Sequence, residues 1–198
     1  MIKPGLAGRI DQLRTGLAVR DENVLARNCG AQLIDGCLHM NVWETAVFVD
    51  LNNFIAYEVK TGNLLDPLLQ TVIAYYLSLA DGTLPACHWI SFTGLESGNF
   101  YTKAFQGYSG KILADVFGNN VVRFAKTAVS RGGHLDPFSA LAFRFQVLPY
   151  VPLLAVCWPG DEDFPSSYKI LFDAHVNHYL PTDGCAILGN MLTRRLLI

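Results

Sequence analysis

The patterning of apolar residues predicts an α+β fold, an antiparallel sheet of about six strands with helices packed against it. Three observations carry that expectation. Leu141, Phe143, Phe145 and Val147 alternate with Ala142, Arg144 and Gln146, the period of a half-buried strand. Three short apolar runs between residues 31 and 60 are separated by turn-forming residues, as in a meander. Leu68 to Ala80 is apolar on nearly every side, which a strand of that length rarely is and a buried helix often is.

Taken in order, Leu6, Ile10, Leu13, Leu17 and Val24 recur near a helical period, so an amphipathic helix over 6–26 opens the chain and stops at Asn28-Cys29-Gly30. Residues 31–40, 44–51 and 54–60 read as strands, the last two joined at Asn52-Asn53 and the third closed by Thr61-Gly62-Asn63. Asp66-Pro67 is a helix start, a side-chain acceptor followed by a residue whose missing N–H costs nothing there. Residues 87–92 read as a strand and 100–105 as a short helix. Ser109 is placed to cap a helix over 111–117, and Asn119-Asn120 one over 121–129 that ends at Arg131-Gly132-Gly133. Residues 140–147 and 152–158 form a hairpin through Leu148-Pro149-Tyr150, and Thr182 or Asp183 caps a last helix through Arg195.

The chain of 198 residues is expected to fold as a single domain over 1–198, without a linker or repeat. A hydrophobic share of 51% against 16% charged argues for a large core and against disorder. Mean hydropathy is +0.26, yet the longest apolar stretch, 64–79, contains Asp66, Pro67 and Gln70, so no membrane span is expected. With 15 basic and 17 acidic residues spread evenly, no basic footprint for nucleic acid exists. Residues 1–5 lack the apolar core of a signal peptide, and five unevenly spaced cysteines do not form a disulfide framework. A cytoplasmic location follows as the expectation.

The densest chemistry lies between Trp158 and Pro181: a proline-bracketed turn with Asp161, Glu162 and Asp163, then Leu171-Phe172-Asp173, His175, His178 and Tyr179-Leu180-Pro181. Together with Trp89-Ile90-Ser91-Phe92, Ala104-Phe105-Gln106-Gly107-Tyr108-Ser109 and Leu148-Pro149-Tyr150-Val151-Pro152, this stretch resembles the domain-of-unknown-function family 3786. The resemblance covers most of the chain and implies no established activity. It does imply an association, because similar domains follow iron–sulfur modules of the corrinoid-protein type; an iron–sulfur or methyltransferase protein is thereby expected as a partner.

Three functions are compatible with these residues. The first is a binding protein for a large apolar cofactor, a tetrapyrrole such as a corrinoid, with haem as the comparison. His175, His178 or His88 would be the axial ligand and Trp158, Phe164 and Tyr179 the walls. If 173–179 is helical, His175 and His178 share a face and Asp173 can orient one ring. The second is an acid–base or metal-assisted enzyme using the acidic turn and the histidines. Asp161, Glu162 and Asp163 offer oxygen ligands to a hard cation, although their spacing is not that of an EF-hand, and the plainer reading of such a turn is backbone capping in water. The third is a scaffold subunit. Two further loops stay open: Gly132 to Pro137, a catalytic loop or a helix stop, and Ser109-Gly110-Lys111, an anion site or a helix start. No phosphate-binding loop, nucleophile elbow or dinucleotide fingerprint is present.

Overall fold

A computed structural model describes residues 4–198, with side chains from Ile10 onward. The expected α+β class is observed, with nine strands among the described residues divided between two antiparallel sheets. Residues 1–3 lie outside what is described, as does the side chain of Leu6.

The N-terminal helical region is two helices, α1 (Pro4–Leu17) and α2 (Glu22–Asn28), where the periodicity suggested one. Two of the four residues at the break act as caps. Asp21 accepts the Val24 N–H at 2.9 Å, and the Arg20 guanidinium donates to the Ser78 carbonyl at 2.6 Å, near the end of a later helix. Residues 31–40 are likewise not one strand. Asp35 and Gly36, at φ +48° and +74°, fold them into a hairpin of β1 (Gln32–Ile34) and β2 (Cys37–Val42). β3 (Thr45–Asp50) and β4 (Ile55–Glu58) complete the meander, in the order β1-β2-β3-β4.

Helix α3 (Pro67–Leu79) begins as its sequence requires, with Asp66 accepting the Leu68 and Leu69 N–H groups at 2.9 and 3.2 Å. Its residues Thr71 to Leu77 are all buried, so it is the central helix of the molecule. The segment 81–88 then runs without regular structure into β5 (Trp89–Ser91), shorter than the sequence suggested. A 3₁₀ turn (Phe92–Gly94) leads to α4 (Gly98–Tyr108), α5 (Gly110–Phe117) and α6 (Val121–Ser130). Asn120 caps α6 through the Arg123 N–H at 3.0 Å. Ser109 does not cap α5: its hydroxyl donates back to the Phe105 carbonyl at 2.6 Å and is buried, which also removes it as an anion donor.

β6 (His134–Leu135) is a two-residue edge strand inside the segment read from sequence as either a catalytic loop or a helix stop and turn. β7 (Ala142–Leu148) and β8 (Val151–Trp158) form the expected hairpin. A strand that the sequence reading missed, β9 (Ser167–Asp173), pairs with both β8 and β5, giving the order β5-β9-β8-β7-β6. A 3₁₀ turn (Val176–His178) precedes α7 (Thr182–Leu197), whose N-cap is Pro181; the Thr182 hydroxyl bonds the Glu96 carbonyl instead.

One hydrophobic core runs through both sheets and α3. One hydrogen bond links the two sheets, and a second pair ties α3 to the end of α2 and to the β7–β8 turn. A bulge between Gln146 and Leu148 frees the Val147 carbonyl, which accepts the Trp43 N–H at 2.8 Å. The Tyr76 hydroxyl of α3 donates to the Cys29 carbonyl at 2.7 Å and accepts the Tyr150 N–H at 3.2 Å. Among the described residues, no helix is long and apolar enough to cross a membrane.

Candidate histidine site at the end of β9

The strand β9 decides which of the chemistry-bearing residues meet. Trp158 is paired with Ser167 at one end of β9 and Trp89 with Asp173 at the other. At about 3.3 Å per residue the two ends are roughly 20 Å apart. The acidic turn, Trp158 and Phe164 therefore occupy one end of the strand, and His88, His175, His178 and Tyr179 the other. The pocket expected from sequence, with Trp158 and Phe164 as walls around a histidine, is not assembled; nor is a joint site of acidic turn and histidines.

At the near end, Asp161 serves the turn itself, accepting the Asp163 and Phe164 N–H groups at 3.0 and 2.8 Å. The loop is anchored by the Ser166 hydroxyl, which accepts the Gly160 N–H at 2.9 Å, and by Asn119, which accepts the Ser166 N–H at 3.0 Å. Asp161, Glu162 and Asp163 are exposed, and Phe164 is 71% exposed. Among the described residues, no group of three or more His, Cys, Asp or Glu side chains converges as a metal cage.

The far end is built differently. The segment 81–88 lies alongside 173–179 and is laced to it at nearly every residue. Buried Asp173 accepts three N–H groups, those of Ala86 and Cys87 at 2.8 Å each and of His175 at 2.9 Å. Cys87, at φ +54°, takes a strained backbone conformation that lets two successive amides face one carboxylate. The Ala174 N–H donates to the His88 carbonyl at 2.8 Å, and the Tyr179 hydroxyl donates to the Thr83 carbonyl. Asp173 thus holds backbone and does not orient a ring, contrary to the sequence expectation. Residues 173–179 are not a regular helix either, although the 3₁₀ turn still brings His175 and His178 together, ring centroids 5.5 Å apart.

Both imidazoles are held through Nδ1. His175 Nδ1 lies 3.0 Å from the Leu84 carbonyl and His178 Nδ1 lies 2.7 Å from Asp81 Oδ2. A carbonyl and a carboxylate accept, so Nδ1 carries the proton on both rings and Nε2 is the lone-pair nitrogen of each neutral imidazole. Because both Nδ1 atoms turn toward the same loop, both Nε2 atoms turn away from it. The hydrogen bond from His178, supported by the Thr83 N–H, lowers the Asp81 carboxyl from an ordinary 3.8 to about 2. Beneath the pair, Tyr179 is fully buried against Tyr76 and Tyr150, and burial raises its phenol well above its usual range.

His88 contributes its carbonyl to this network while its side chain is exposed. Trp89 donates its indole N–H to Asp136 at 3.3 Å, and Asp136 also accepts the Phe138 N–H at 3.0 Å, so the loop after Gly133 is a turn tied to β5. Asp81, the group that fixes His178, escaped the sequence reading. It stands 97 residues away and reads locally as a helix stop with Gly82.

The motifs around this site, Trp89 to Phe92 and Leu171 to Pro181, fall inside a match to a protein-family model over residues 21–195. No curated protein matches the chain, and no solved structure does. The family model spans most of the sequence, and the chain belongs to the family described as Domain of unknown function (DUF3786).

Proposed function

We propose that this chain is a cytoplasmic binding protein for a metal-centred tetrapyrrole, a corrinoid before haem, with His178 as the axial ligand. The observation that supports this reading is the 2.7 Å contact between Asp81 and His178 Nδ1. A carboxylate on Nδ1 fixes the tautomer, stops ring rotation and raises the basicity of Nε2, which is how imidazoles that ligate metals are commonly held. A neutral imidazole nitrogen suits both cobalt and iron. The exposed side chain of Leu84, beside His175, offers apolar surface to a macrocycle, whereas Trp158 and Phe164 have no part in it. A bound corrinoid would supply cobalt-centred chemistry that no side chain provides; the chain's own residues would orient one nitrogen. Five free cysteines accord with a reducing compartment, and the iron–sulfur or methyltransferase partner follows from the family association.

The test is an anaerobic visible-absorbance titration with a corrinoid, with haem in parallel. Saturable band shifts, lost in His178→Ala and weakened in Asp81→Asn but kept in His88→Ala, are the expected result. Unchanged spectra with both cofactors would refute the reading. The same pair also supports a second reading, an acid–base enzyme in which Asp81 orients His178 as the base. That reading predicts turnover lost in His178→Ala without any cofactor spectrum.

A further inference from the structure

The corner where α6 and α7 end beside the β2–β3 turn holds a cleft of about 510 Å³. It lies near the opposite end of α7 from His178, about 20 Å away at 1.5 Å per residue. Arg131, Arg194 and Arg195 line it, with Trp43, Met191 and Leu69 among its apolar walls.

These charges are not equivalent. Arg195 is committed: its guanidinium stacks on Trp43 at 5.2 Å, donates to the Arg131 carbonyl at 3.2 Å and pairs with Glu44. Asp66, the carboxylate side chain in the lining, is committed to the Leu68 and Leu69 N–H groups. Arg194 is exposed, and the Arg131 Nε–H is buried with no hydrogen-bond partner among the described residues. That nitrogen is closed to the cleft, so Arg131 can meet a ligand only through its two Nη groups. The carbonyl ends of α6 and α7 offset Arg131 and Arg194, neither of them ion-paired among the described residues, by about half a charge each.

We infer that this cleft binds a small molecule carrying an oxyanion, carboxylate or phosphate, on an apolar body. The oxyanion accepts from the Arg131 fork and Arg194, and the body lies against Trp43 and Met191. Arg195, held by Glu44 and the indole, sets the wall and is not the anion's ligand. This site shares no residue with the histidine site, so either can fail alone.

The experiment is a ¹H–¹⁵N titration of the full chain with benzoate and with phenyl phosphate, up to about 20 mM for millimolar affinity. The Trp43 indole and Arg131 Nε–H signals are followed, and benzyl alcohol serves as the neutral control. We expect saturable shifts at both signals. Arg194→Gln weakens binding roughly tenfold, and Arg131→Gln abolishes it. Benzoate binding more tightly than phenyl phosphate assigns the carboxylate, and the reverse order the phosphate. Absence of saturable shifts, equal shifts with benzyl alcohol, or binding unaltered by Arg194→Gln would overturn the inference. Arg194 is exposed and unpaired among the described residues, so its variant keeps the test decisive even if Arg131→Gln does not fold.

Discussion

Asp173 and Asp81 hold the histidine segment in place by different means, and each leaves its own signature. Asp173 is 1% exposed and its side chain joins the amides of Ala86, Cys87 and His175. Removing it strands three amides, so Asp173→Ala should cost about 3 kcal/mol in urea unfolding, the scale of hydrogen bonds to a charged group. Asp81 is half exposed, and its effect is better read through pH than through energy. Its carboxyl sits lower in the folded chain than in the unfolded one. The stability it contributes is therefore complete above 3.8 and disappears as the pH falls through about 2. Thermal midpoints measured across that window should fall more steeply for the wild type than for Asp81→Asn.

At the scale of elements, what the sequence disclosed depended on whether the signal was local. The Asp66 cap, the β7–β8 hairpin and the stop at Gly132 were legible because each rests on residues adjacent in the chain. The Asp35-Gly36 turn carried an equally local signal, passed over because 31–40 was read as one apolar run. β9 was not legible, because Ser167 to Asp173 follows an acidic, proline-rich turn and owes its strand state to β5 and β8 on either side. That miss also misplaced the site, since only β9 separates Trp158 from His178. Two element-level predictions follow from caps and turns. Asp21→Ala should cost about 1 kcal/mol by removing the α2 cap. Gly30 stands at φ +64°, and a Cβ there would meet Pro149 and Tyr150 at 2.9 and 3.0 Å. Gly30→Ala combines left-handed strain with that overlap and should cost about 2 kcal/mol by urea unfolding.

For the molecule as a whole, the question is whether two sheets make one cooperative unit. Their residues share a single core, with Val49 and Ala56 from one sheet and Phe145 and Leu153 from the other. Tyr76 is the polar tie across it, since one hydroxyl from α3 satisfies both the end of α2 and the β7–β8 hairpin. Tyr76→Phe keeps the ring stacked on Tyr179 yet leaves the Cys29 carbonyl and the Tyr150 amide without partners. The cost should be about 2 kcal/mol, the desolvation of groups left unpaired. Because the core is shared, that cost should be felt in both sheets. Amide signals of Val49 in β3 and Ala155 in β8, followed through urea, should have coincident midpoints in the wild type. Both should shift down together in the variant. A loss confined to Val49 would mean that the four-stranded sheet unfolds by itself, and the histidine site, anchored on β9, would then survive without it.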